Sequence, residues 1–112
     1  MTAKVEALRV ELSRAALNDL FEINDYYFVE VNDEFAAKLI DKLEAAVFSL
    51  SLMPSRGHTP AELIDLGFKE MKEIVCDQYR IIYEVVNKTV FVHGILDSRR
   101  DVQTLLHKRL LR

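Results

Sequence analysis

Apolar and charged positions alternate from Leu8 to Leu12, with Leu8, Val10 and Leu12 on one side and Arg9 and Glu11 on the other. A period of two predicts a half-buried strand, placed at Val5 to Leu12. After Ser13 the period lengthens. Leu17, Leu20, Phe21, Tyr27, Phe28 and Val31 recur at three- and four-residue steps and predict an amphipathic helix to about Val31, with the Ser13 hydroxyl as its N-cap. Asn32 and Asp33 break and recap the chain. Ala36, Leu39, Ile40, Leu43, Val47 and Leu50 then make a second helical stripe that ends before Pro54. So short a connection predicts an antiparallel helical hairpin whose stripes cover one face of something flat.

The stretch from Pro54 to Pro60 holds both prolines and reads as a loop. Thr59-Pro60-Ala61-Glu62 has the form of a capping box, and Gly67 is placed to close a short helical turn. Beyond Gly67 the residues become β-branched, aromatic or alternating. Strands are predicted at Phe68–Cys76, Tyr79–Val86 and Thr89–Leu96, with Asp77-Gln78 and Asn87-Lys88 as tight turns. Ser98 and Asp101 repeat the capping pattern ahead of a last amphipathic helix. That helix carries Val102, Leu105, Leu106 and Leu110 on its apolar side and Lys108, Arg109 and Arg112 at its end. The expected fold is α+β: an N-terminal strand and an antiparallel helical hairpin packed on a mainly antiparallel β-sheet, with a C-terminal helix.

The 112 residues suit one domain, spanning 1–112, and a 50% hydrophobic content is enough for one core. A formal net charge of −3 argues against holding nucleic acid by bulk attraction to phosphate. The single cysteine, Cys76, cannot form an internal disulfide, and the charged N-terminal stretch resembles neither a signal peptide nor a membrane span. A cytoplasmic location and no membrane association are the expectation. His58, His93 and His107 lack metal-site spacing, and Gly57, Gly67 and Gly94 are too scattered for a phosphate loop, so neither metal nor cofactor is expected. His93 reads as a structural histidine. Cys76, beside Asp77, reads as a buried thiol with a raised pKa. The carboxylates Asp33 with Glu34 and Glu22 with Asp25 fall on solvated faces, and Tyr27 belongs to the apolar stripe.

Charge is unevenly spread. Residues 1–56 carry six basic and ten acidic side chains, whereas residues 57–112 carry nine and eight. The acid lies on the helical hairpin, and Lys69, Lys72, Arg80, Arg99 and Arg100 gather at the sheet and its C-terminal extension. Arg80 and Glu84 are expected on the sheet face turned away from the hairpin. Arg80 and Arg100 then either meet a partner or pair with Glu73 or Glu84.

The order of elements and several local strings resemble the RelE/ParE superfamily, the toxins of bacterial type II toxin–antitoxin pairs. Glu73-Ile-Val-Cys-Asp-Gln-Tyr-Arg-Ile-Ile-Tyr-Glu84 resembles the family's central hairpin. Ile95-Leu96-Asp97-Ser98-Arg99-Arg100-Asp101 is similar to the motif that ends its last strand. The Pro54–Gly57 loop and Glu62-Leu63 stand where the family places similar residues.

The resemblance implies one of two activities. RelE-like members cut messenger RNA on the ribosome, which calls for cations around the phosphate and a group that moves protons. Arg80 stands at the matching strand arginine and Arg99 or Arg100 at the later one. Met71 and Glu73 stand where strand lysines are wanted, and Leu105 and Leu106 where a tyrosine is. The pattern is closer to the ParE branch, which implies a non-enzymatic inhibitor of DNA gyrase that contacts its target through Arg80, Arg99, Arg100 and Lys72. It also implies neutralisation by a cognate ParD-like antitoxin seated on Phe28, Phe35 and Leu39, with operator DNA contacted only through that complex. The alternatives are a RelE-like endoribonuclease and a degenerate member kept for antitoxin binding.

Overall fold

The computed structural model describes residues 6–110, so the expectations at Val5 and Arg112 lie outside the described residues. The first strand, β1 (Arg9–Leu12), is shorter than its alternation. At Leu8 the backbone turns to Ser51 instead: the Leu8 amide donates to the Ser51 carbonyl at 2.8 Å, and Ser51 Oγ donates to the Leu8 carbonyl at 2.7 Å. This contact blunts the outer edge of the strand. Ser13 caps α1 (Arg14–Glu30) by accepting from the Ala16 amide at 3.0 Å. Asn32 caps α2 (Asp33–Ser49) by accepting from the Phe35 amide at 2.8 Å, and Asp33 and Glu34 complement the positive end of that helix.

The short helix α3 (Ala61–Asp65) follows Pro60, but the Thr59 side chain does not cap it. Thr59 Oγ1 donates to the Lys69 carbonyl at 3.2 Å. The next strand, β2 (Lys72–Cys76), begins four residues later than the apolar run at Phe68 suggests. Gly67, at φ +86°, closes α3, and the Phe68 amide returns to the Leu63 carbonyl at 2.8 Å, so Phe68–Met71 form a turn. Two-residue loops join β2 to β3 (Tyr79–Val86) and β3 to β4 (Thr89–Asp97), with Asp77, Asn87 and Lys88 all at positive φ. Asp101, rather than Ser98, caps α4 (Val102–Leu110), accepting from the Thr104 amide at 3.1 Å.

The sheet order is β1-β4-β3-β2, with β1 parallel to β4 and the other pairs antiparallel. Ala16, Ile23, Leu43, Val47 and Leu50 of the hairpin bury Ile74, Ile81, Tyr83, Val90, Val92 and Ile95 of the sheet. The opposite face is covered too. Leu63 and Met71 join Val102 and Leu106 over Ile82 and Leu96, so α3 and α4 build a second, smaller core where the pattern suggested a polar face. A bulge at His93 makes this two-sided burial possible: Ile82 pairs with Gly94 and Tyr83 with Val92, which leaves His93 as the extra residue. Its Nε2 lies 2.8 Å from Glu84 Oε1, the satisfied structural histidine expected.

Tyr83 ties the proline loop to the sheet. Its fully buried hydroxyl accepts from the Gly57 amide at 3.0 Å and donates to the Pro54 carbonyl at 2.7 Å. Glycine is required at 57, because a Cβ there would stand 2.6 Å from both the Glu73 carbonyl and the Tyr83 hydroxyl. Tyr83→Phe orphans both loop groups and is expected to destabilise the fold by about 1–3 kcal/mol, read as a lower urea midpoint at unchanged slope.

Candidate interaction site

The densest polar constellation lies at the C-terminal end of β4, where α1 crosses the strand beyond the reach of β1. The Ile95 amide, which has no strand to pair with there, donates to Asp19 Oδ2 at 2.9 Å. Arg109 reaches from α4 to the same carboxylate, Nη1 to Oδ2 at 2.8 Å and Nη2 to Oδ1 at 2.7 Å. Gly94 gives the guanidinium passage: a Cβ at that position would come within 3.0 Å of Arg109 Nη1. The buried Asp19 therefore joins α1, β4 and α4. The hydrogen bonds to Asp19 raise the Arg109 pKa above its ordinary value against the opposing effect of burial, and the charge of the carboxylate adds to the rise.

A cavity of about 310 Å³ opens beside this pair, lined by Glu22, Ile23, Tyr26 and Tyr27 of α1, Tyr79, Ile95 and Asp97 of the sheet, and Arg99 and Arg100. Asp97 anchors its far end. Arg99 donates to its carboxylate through Nε at 3.0 Å and Nη2 at 2.6 Å, and Gln78 Nε2 donates to it at 3.1 Å. The Arg99 hydrogen bond holds the Asp97 carboxyl below the usual carboxylate range. A depressed pKa contributes stability above the ordinary carboxylate value and loses it as the pH falls through the lowered one. Burial, with the Tyr27 hydroxyl beside it, pushes the Tyr79 phenol well above its ordinary value, so it remains an OH group. Arg100 is exposed and, among the described residues, has no ion-pair partner.

The other cations of the expected site sit elsewhere. Arg80 lies on the far sheet face, where Nε and Nη2 donate to Glu73 Oε2 at 2.9 and 2.6 Å and Nη2 also meets Glu62. Its side chain is 14% exposed and that of Glu73 only 8%. Lys72 is half-buried at the start of β2, the strand furthest from β1. The structure thus brings Arg99 and Arg100 together and leaves Arg80 and Lys72 apart from them. Cys76 is buried, and its thiol is pushed up by that burial and by Asp77.

On the hairpin, Phe28 is 58% and Phe35 45% exposed, whereas Leu39 packs against the core. The α1 stripe also contributes less to the core than its spacing suggests, since Leu17, Phe21 and Val31 are exposed and Ala16, Asp19 and Ile23 are buried. Apolar residues wrap too much of this helix for one buried face, and that surplus was visible in the sequence. The Asp19–Arg109 pair was not: 90 positions separate its members, and no local pattern relates them.

This fold, with a helical hairpin on one face of a four-stranded sheet and a last helix on the other, is that of the small toxins of type II toxin–antitoxin systems. The chain belongs to the ParE toxin family of type II toxin–antitoxin systems, parDE, whose family model matches residues 10–102. A solved structure of the chromosomal ParDE toxin–antitoxin system from P. aeruginosa aligns with a TM-score of 0.70 at 19% identity, covering 82% of this chain and 97% of that one. A chain of the RelBE2 toxin–antitoxin complex from Mycobacterium tuberculosis aligns with a TM-score of 0.56 at 18% identity, over 84% and 94% of the two chains. No curated protein sequence matches. No described helix is long and apolar enough to cross a membrane.

Proposed function

We propose that this type II toxin acts as a ParE-like inhibitor of DNA gyrase and is neutralised by a ParD-like antitoxin. The observation that carries the reading is the state of Arg80. A RelE-like nuclease needs a cation free to meet phosphate on that sheet face, and here the guanidinium is held by Glu73 and Glu62. Two carboxylates around one arginine leave the cluster with a net negative charge, which repels a phosphate. Met71 and Glu73, where lysines would be wanted, are both buried and add no cation. Arg99 and Arg100 remain as the cationic rim for a target, with Arg100 the freer of the two. Lys72 is a lesser contact on β2, at the sheet edge opposite β1.

The antitoxin reading draws support from the exposed apolar residues of the hairpin. Phe28 and Phe35, joined by Leu17, Phe21 and Phe48, offer anchors for the apolar side of a partner helix. Leu39 supports that surface from beneath. DNA recognition then belongs to the antitoxin, since the toxin's net charge of −3 makes it a poor reader of phosphate.

The test is ATP-dependent supercoiling of relaxed plasmid by purified gyrase, titrated with the folded toxin. Inhibition with accumulating linear DNA, relieved by the antitoxin, is expected. Arg100→Glu should shift the inhibition curve about tenfold to higher concentration with an unchanged thermal midpoint. Undiminished supercoiling at stoichiometric excess would remove gyrase as the target, and messenger cleavage at the ribosome would be the assay to turn to.

A further inference from the structure

We infer that the cavity at the end of β4 binds one guanine nucleotide, its unpaired base stacked on Tyr26 with the Watson–Crick edge on Glu22 and its phosphate on Arg100. The inference stands apart from the gyrase reading and shares only Arg100 with it. It starts from the groups of the cavity wall that the fold leaves uncommitted. Arg109 is held by Asp19 and Arg99 by Asp97, and Gln78 ties the Tyr27 hydroxyl to the Asp97 carboxylate. Glu22 and Arg100 line the same cavity, and among the described residues neither has an ion-pair partner. Tyr26 is 58% exposed and meets Tyr27 at 88° with ring centroids 5.0 Å apart. In that edge-to-face pairing at least one face of the Tyr26 ring stays uncovered by Tyr27, whichever ring supplies the edge.

A carboxylate, an aromatic face and a guanidinium around one cavity narrow the ligand in turn. Every nucleobase has a π-face, so stacking on Tyr26 is indifferent to the base. A carboxylate only accepts hydrogen bonds, and its two oxygens suit two donors side by side. Among the common bases guanine alone presents such a pair on its Watson–Crick edge, the ring N–H next to the amino group. Adenine, cytosine, uracil and thymine all set an acceptor beside the donor. That edge must be free, which excludes a paired duplex and agrees with a net charge of −3 that cannot hold a long run of phosphates. Arg100 is left to take a single phosphate in a charge-assisted pair. The volume of about 310 Å³ stands at the lower end of the range for small-molecule sites, room for one nucleotide. Ile23 and Ile95, which line the cavity, belong to the core on the hairpin side of the sheet, so the site is separate from the Arg80 face.

Free GMP and a guanosine within a single strand present the same chemistry. The probes are therefore GMP, AMP, CMP and UMP, guanosine without phosphate, and single-stranded thymidine pentamers with one central guanosine or adenosine, each titrated against the isotope-labelled full chain. GMP is expected to shift the Tyr26 and Ile95 amide resonances and to bind about tenfold more tightly than the other monophosphates or guanosine. Glu22→Gln should remove the preference for guanine, and Arg100→Gln should bring GMP and guanosine to equal affinity. Both side chains are exposed, so both variants should keep the parent's thermal midpoint. Tighter binding of the guanosine pentamer than of GMP identifies a nucleic-acid strand as the source, and equal or weaker binding a free nucleotide. The inference is overturned if no nucleotide binds, if the four monophosphates bind alike to the unaltered chain, or if the shifts fall on Phe21 and Phe28 instead of the cavity. The assay contains no gyrase, so its failure and the failure of the gyrase reading are separate results.

Discussion

Arg80→Ala is expected to cost about 3–5 kcal/mol of folding stability, because removing one partner of a buried ion pair leaves the other charge uncompensated. Among the described residues Arg80 supplies every side-chain hydrogen bond to the Glu73 carboxylate, which would be left unpaired at 8% exposure with Glu62 beside it as a second negative charge. Urea unfolding at neutral pH measures the loss. Replacing both members, as Arg80→Met with Glu73→Leu, should recover much of it, since similar apolar volume substitutes for a buried pair at little net cost. The outcome separates two roles for the same residue. A nuclease arginine held ready for phosphate can be removed with the fold intact, whereas a structural arginine cannot. A variant that unfolds at the same urea concentration as the parent would sink the structural assignment and restore Arg80 to the candidate contacts.

Asp19→Ala is expected to destabilise the protein by a similar amount, about 3–5 kcal/mol, through loss of the partner for a part-buried guanidinium. It removes both hydrogen bonds that Arg109 makes to the carboxylate, leaving the guanidinium its contact with the His93 carbonyl, and it takes away the acceptor of the Ile95 amide. Asp19→Asn keeps an acceptor for that amide and should cost less, about 1–3 kcal/mol. The loss should also be uneven. Because Arg109 is the link from α4 to α1, hydrogen exchange in α4 should accelerate before that of β3, which both cores bury. Equal acceleration throughout would show that Asp19 stabilises the fold as a whole and does not specifically dock the last helix.

Much of this architecture was legible because its signals are local. Ser13 and Asn32 cap the helices they precede, and the change from a helical period to alternation at β3 and β4 tracks the observed strands. The family strings around Tyr79–Tyr83 and Asp97–Arg100 pointed to the toxin class that the family match bears out. The misreadings came where a local rule had a distant competitor. Thr59 fits a capping box, yet its hydroxyl serves Lys69; Phe68 suits a strand, yet it turns back on Leu63. Leu17 and Phe21 fit a core stripe, yet α2 and the sheet bury a narrower arc of α1.

The sequence by itself determined the elements, their order, the hairpin on one sheet face and the toxin class, because periodicity, caps and turns act over a few residues. Tertiary structure alone decided which charges are free. Arg80 and Arg100 look alike along the chain, but folding sets Arg80 between Glu62 and Glu73 and leaves Arg100 at a cavity rim. Likewise Asp19, which carries no signal in its own helix, becomes the joint of three elements once β1 ends short of Ile95 and the open strand edge needs an acceptor. Ion pairing and edge satisfaction depend on distances across the folded chain, and those distances exist only after the sheet has formed.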